Sequence, residues 1–245
     1  MSQSMPSSVL VIEPLQLLVS AVPALCVAAV LFVWSLNARN ALYAMARMLG
    51  QLLVIGYLLG FLFDANNVFI ILGVLSVMVC ASSWIALGSI PIQRRDLLPA
   101  TLLSVTIGGS VTLLIISQGV LMLDPWYMPR YLIPLAGMVF AASMNSISLA
   151  ADRIVSELKQ HSDYVIARNT ALHTALIPVT NSLLAVGLVS LPGMMTGQIL
   201  SGVSPLIAVR YQIMVMCMLY GAAGMSCICF LVFNKKLFLS QKQIP

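Results

Sequence analysis

Apolar residues in this chain neither alternate nor keep to one helical stripe. They come in long, nearly unbroken runs separated by short polar stretches. Runs of this length read as helices that cross a bilayer, whose hydrocarbon core takes about 20 residues to span. In order, the expected spans are about 15–36, 48–63, 68–88, 98–122, 131–151, 174–191 and 209–233. The expected fold class is therefore all-α, a polytopic integral membrane protein of about seven transmembrane helices. Residues 1–14 form a short polar tail that lacks the basic start of a signal peptide. Residues 15–245 read as a single membrane domain, with an amphipathic connection at 152–172.

Composition points the same way. Only 8% of the 245 residues are charged, 60% are hydrophobic, and the mean hydropathy is +1.02. A soluble domain carries about 25% charged residues. The net charge of +5 lies scattered through the connections, not in a patch, so no nucleic-acid partner is expected. It does carry a topology signal. Arg39, Arg47, Arg94, Arg95, Arg153, Lys159, Arg168, Lys235, Lys236 and Lys242 fall on one side of the seven spans, and only Arg130 and Arg210 on the other. That asymmetry predicts an N-terminus outside and a C-terminus in the cytoplasm (N-out/C-in).

One stretch does not fit a plain span. Between Leu191 and Gln212, Pro192 lacks a backbone N–H, while Gly193, Gly197 and Gly202 weaken a helix, relieving strain or allowing close approach. Pro205 suits a fresh helix start. Non-helical backbone at membrane depth is tolerated only within protein or beside a water-filled cavity. The stretch, with Met194, Met195, Thr196, Gln198, Arg210 and Gln212, is therefore a candidate translocation pathway, together with Asn145 and Asn181 in the preceding spans. An ordinary extramembrane loop is the alternative.

In the connection 152–172, Ile154, Leu158, Val165 and Leu172 recur at helical spacing, with Arg153 placed to pair with Glu157. The stripe fits either a docking helix for a cytoplasmic partner or a helix lying on the membrane. Energy coupling is not written into this chain. No Asp, Glu, Lys or Arg falls in the middle of a span, and no Gly-x-x-x-x-Gly-Lys-(Ser/Thr) phosphate loop occurs. Neither a catalytic nor a metal-ligand cluster is visible. Cys26, Cys80, Cys217, Cys227 and Cys229 read as small buried hydrophobes. Met194, Met195, Met214, Met216 and Met218 offer soft thioethers, but methionine is also a packing residue and hard ferric ions do not favour sulfur.

Several runs carry a family resemblance. Ile133-Pro-Leu-Ala-Gly-Met138, Met144-Asn-Ser146, Ala175-Leu-Ile-Pro-Val-Thr-Asn-Ser182 and Val186 through Gln212 resemble the FetB-type ABC transporter permeases. These are bacterial proteins linked to iron export, with plant relatives tied to aluminium tolerance. The resemblance implies a transporter subunit, not an enzyme, that pairs with itself as a homodimer and with an ATP-binding cassette subunit. It implies that ATP is held by that partner, with no cofactor on this chain, and that iron or a related metal species is the cargo. It also implies a multi-pass protein of the cell inner membrane. A Leu-Gly-Ala-(Ser/Thr)-Pro element usual in the family before the Ala-Leu-Ile-Pro run is missing here. The rival readings are an uncoupled channel of the same fold and a non-transporting membrane scaffold.

Overall fold

The computed structural model describes residues 12–64, 67–88, 90, 94–160 and 163–241. The polar tail up to residue 11, His161 and Lys242 lie outside the described residues. Among the described residues the elements are helical, apart from an isolated bridge between Val186 and Ser190. Six of these helices are long and apolar enough to cross a membrane. The chain is thus a polytopic all-α membrane protein. It divides into two compact units, Met1–Asp64 and Ala65–Pro245.

The first unit holds α1, Pro14–Val33, and α2, Ala38–Phe63. The backbone N–H of Glu13 donates to Gln16 Oε1 at 3.0 Å, which closes the start of α1. Asn37 caps α2 by accepting the Asn40 N–H at 3.3 Å. This cap starts α2 well before Met48, where the second span was expected. Arg39 and Arg47 therefore sit on the helix and not in a loop.

The second unit holds α3, Val68–Ala86, and α4, Arg94–Leu114, which continues as a π-helical turn over Ile115–Val120. The long α5, Pro129–Gln160, follows, then α6, Tyr164–Ala185. A short α7, Gly193–Leu200, precedes α8, Pro205–Phe233, and α9, Lys235–Gln241. The core lies where α4, α5 and α8 pack together. Lipid tails are as apolar as the side chains, so helix association in a membrane depends on close packing and hydrogen bonds. Small residues supply both. A Cβ placed on Gly108 would sit 2.3 Å from Ser226 Oγ and 2.5 Å from its backbone nitrogen, so α4 and α8 touch through the glycine. A Cβ on Gly109 would sit 2.7 Å from the Phe140 ring of α5. Ser226 Oγ donates to Ser143 Oγ at 2.9 Å, linking α8 to α5.

The expected span 174–191 is divided. Its first part belongs to α6, and Val186–Leu191 is not helical. By length α6 could cross a bilayer, but Arg168, Asn169 and His173 in its first half keep it off the set of six.

The connection 152–172 also differs from expectation. There is no separate amphipathic helix. α5 runs on to Gln160, and Asp163 starts α6 by accepting the Val165 N–H at 2.7 Å. At 1.5 Å per residue the 32 residues of α5 span about 48 Å, well beyond a hydrocarbon core of about 30 Å. Its end therefore projects past the bilayer while keeping the same face inward. Ile154 and Leu158, at 0% and 7% exposure, are consumed by the chain's own core. Val165 is 47% exposed and Leu172 is half-buried. Arg153 does pair with Glu157, at 2.5 Å. Nearby, the buried Tyr164 hydroxyl donates to the Leu231 carbonyl, fastening the start of α6 to α8. Burial pushes its phenol up to about 12, slightly offset by Arg168.

Because the obstruction at Gly108 includes backbone atoms of Ser226, a Gly108→Ala variant should lose about 1–3 kcal/mol of stability. Gly224→Ala, where a Cβ meets nothing within 4 Å, should lose none. Thermal unfolding in detergent measures both, and equal midpoints would contradict the packing described.

Candidate functional site

The break between α6 and α8 satisfies its own backbone. Past Ala185 the N–H groups of Leu188, Val189 and Ser190 all donate to the Ala185 carbonyl, at 3.2, 2.8 and 3.2 Å. Gly187 N–H donates in turn to the Ser190 carbonyl at 2.9 Å. Pro192 then caps α7, its carbonyl accepting from the N–H and hydroxyl of Thr196 at 3.0 and 3.1 Å. At the far end Val203 N–H reaches the Gln198 carbonyl at 3.0 Å, which closes α7 before Pro205 opens α8. A segment bonded in this way can stand beside a cavity without leaving backbone groups bare.

A cavity of about 490 Å³ lies beneath it. Three helix faces form its walls. α5 contributes Met138, Ala142, Asn145, Ser146 and Leu149, and α6 contributes Ala175, Pro178, Val179 and Ser182. α8 contributes Gln212, Val215, Met216, Leu219 and Ala223. Val186, Ser190, Pro192, Gly193 and Met194 of the break form one edge, and the cleft stays partly open, with Asn145, Pro178, Ser182, Ser190 and Gly193 exposed. A second cavity of about 660 Å³ is lined by α5, α7 and α8 and includes Arg130, Tyr131, Gln198, Tyr211 and Met214. Met138 and Met194 line both cavities and so divide one from the other.

Each cavity holds one amide with unused hydrogen-bonding capacity. Gln212 is 6% exposed, and its Oε1 has no partner. Gln198 Oε1, in the second cavity, is likewise buried and without a partner. An unfilled buried acceptor costs about 1–3 kcal/mol, which a bound donor recovers. Two serine hydroxyls in the same wall are engaged. Ser146 Oγ donates to the Ala175 carbonyl at 3.4 Å and Ser182 Oγ to the Pro178 carbonyl at 2.9 Å. No group of three or more His, Cys, Asp or Glu able to hold a metal occurs among the described residues.

Of the residues singled out from sequence, the first cavity gathers Asn145, Pro192, Gly193, Met194 and Gln212, and the second adds Gln198. Asn181, Met195, Thr196, Gly197, Gly202, Pro205 and Arg210 line neither. The glycines also play different parts from those expected. Around Gly193 and Gly197 a Cβ would meet nothing within 4 Å, so neither marks a close approach in this chain. The left-handed positions are Gly187 and Gly202, at φ +84° and +91°. Sequence reasoning missed Met138, Ser146, Ser182 and Arg130. A signal was present, since the lining positions on each helix recur at intervals of three and four, one face each.

Comparison with known proteins places these features in a family. The family described as "Uncharacterised protein family (UPF0014)" matches residues 14–239. The UPF0014 membrane protein slr1647 of Synechocystis sp. is 38% identical, covering 71% of this chain and 73% of that protein. The "Probable iron export permease protein FetB" of Escherichia coli is 30% identical over 80% of this chain and 81% of its own length. "Protein ALUMINUM SENSITIVE 3" of Arabidopsis thaliana is 33% identical over 76% and 72%. No solved structure matches the chain.

The turns that hold the break make a direct prediction. Gly187→Ala and Gly202→Ala place a Cβ on left-handed backbone and should each cost about 1–2 kcal/mol. Gly197→Ala should leave stability unchanged. Proteolysis of the 186–204 segment in detergent reads the difference. Equal cleavage of all three variants would contradict the assigned turns.

Proposed function

The chain belongs to the UPF0014 family, and we propose that it is the transmembrane permease subunit of an ABC transporter that exports iron or a related metal species. The observation that carries this reading is the partly open cavity among α5, α6 and α8, edged by a broken helix. A closed membrane bundle has no need of such a space, and a pathway does. The name of the Escherichia coli relative supports iron export as the direction and cargo. ATP binds and is hydrolysed on a separate ATP-binding cassette subunit, since no phosphate loop occurs in this sequence. Two copies of the permease pair with two copies of that subunit in the cell inner membrane.

Coupling enters at the α5–α6 corner. Arg153, Lys159 and Arg168 gather there and Lys235 and Lys236 follow α8, a charge bias that supports a cytoplasmic position for this end. Ile154 and Leu158 are occupied by the chain's own core. The docking surface is instead made by Val165 and Ile166, 47% and 52% exposed, beside the partly exposed Arg153.

Affinity purification in mild detergent from the native membrane tests the proposal. An ATP-binding subunit should come with the wild-type chain. Val165→Asp combined with Ile166→Asp should lower its recovery at least tenfold, because burying each side chain contributes about 1.5–3 kcal/mol. The same pair should leave thermal unfolding of the permease unchanged, whereas Leu158→Asp should destabilise the permease itself. Cargo flux with no ATP-binding subunit recovered would contradict coupling and favour a channel.

A further inference from the structure

The walls of the α5–α6–α8 cavity restrict the form in which a metal can enter, and this step rests on the permease reading above. Among the described residues, none of those lining that cavity is Asp, Glu, His, Cys, Lys or Arg. The neighbouring cavity adds a formal charge only through Arg130, a cation. A metal ion carrying its full charge, bare or within a water shell, would meet no opposite charge in surroundings made mostly of Ala, Val, Leu, Met and Pro. Burying an uncompensated charge in such a wall is far more costly than burying a neutral polar group. Cation pathways carry rings of acidic side chains or ordered carbonyls for this reason.

What the cavity does offer is hydrogen bonding without charge. Gln212 is more than nine-tenths buried, its Oε1 lacks a partner, and the residue lines the cavity. Asn145 lies across from it on α5, and both belong to the same lining. Met194 and Met216 supply polarisable apolar surface suited to an organic shell. The volume of about 490 Å³ falls within the range of small-molecule pockets. We infer that the cavity takes its metal as an uncharged chelate, the ion's charge cancelled by its own organic ligands, with Gln212 as the hydrogen-bonding anchor for the ligand shell.

Equilibrium dialysis of the purified chain in lipid nanodiscs tests this. Radiolabelled iron is supplied either as neutral tris(acetohydroxamato)iron(III), whose hydroxamate N–H groups can donate to Gln212 Oε1, or as aqueous iron(II) under reducing, oxygen-free conditions. The chelate should bind at one per chain and aqueous iron(II) should not. Gln212→Leu, which keeps the volume and removes the amide, should weaken chelate binding at least tenfold. Asn181→Leu, outside the cavity lining, should bind as wild type. Unfolding midpoints of both variants confirm that they fold. If Gln212→Leu fails to fold, Gln212→Glu serves, and its added charge should lower chelate binding while raising retention of aqueous iron(II). Retention of aqueous iron(II) with exclusion of the chelate would overturn the inference and leave the permease reading standing. Binding of neither form would overturn both the inference and the metal cargo. Chelate binding untouched by Gln212→Leu or Gln212→Glu would overturn the assigned site.

Discussion

The contact between Gly108 and Ser226 sets the terms for the rest of the second unit. No hydrophobic force draws helices together within a bilayer, so α4 and α8 hold by approaching closely enough for backbone atoms to touch. The Ser226–Ser143 hydrogen bond fixes α5 in the same register. α5 and α8 then present a firm wall, Asn145 and Ser146 on one helix and Gln212 and Met216 on the other, to α6 and the break. Looser packing at Gly108 would let α8 shift and change the cavity's shape.

The break is the second condition. A straight helix through Val186–Ser204 would pack against α5 and α8 and fill the space. Instead Gly187 and Gly202 turn the backbone, Ala185 and Gln198 carbonyls absorb the freed N–H groups, and Pro192 and Pro205 restart the helices. α7 buries none of its residues. It is held by turns at its two ends and by packing against α8. Its lack of buried residues suits it to move against the rigid frame of the proposed permease.

Much of the fold was legible in the sequence because bilayer thickness imposes a length on apolar runs. The expected span 68–88 and the observed α3, Val68–Ala86, nearly coincide, and the break after Leu191 was marked by its prolines and glycines. Four things were not legible. Apolar content does not mark where a helix begins, and the Asn37 cap extended α2 across Arg39 and Arg47. An apolar stripe does not reveal its partner, and Ile154 and Leu158 turned out to serve α5's own bundle. Which glycines turn the chain depends on φ, which composition does not encode, so Gly193 and Gly197 stood out equally with Gly202 while Gly187 went unmarked. The cavity depends on the relative rotation of three helices. Asn145 and Gln212 could be named one at a time, but their meeting could not.

The central claim is that the space behind the break is an alternating route across the membrane. Accessibility of a single cysteine at Ser146, buried in the cavity wall, tests it most directly. The five native cysteines are first replaced by alanine, and the chain is reconstituted with its ATP-binding subunit in liposomes. A membrane-impermeant thiol reagent is applied from either side, with and without a trapped ATP analogue. The account predicts labelling from one side in the nucleotide-free state and from the opposite side once nucleotide is trapped. A cysteine at Leu184, exposed on α6 but outside the cavity, should show no such switch. Labelling at Ser146 from neither side in either state would contradict the claim.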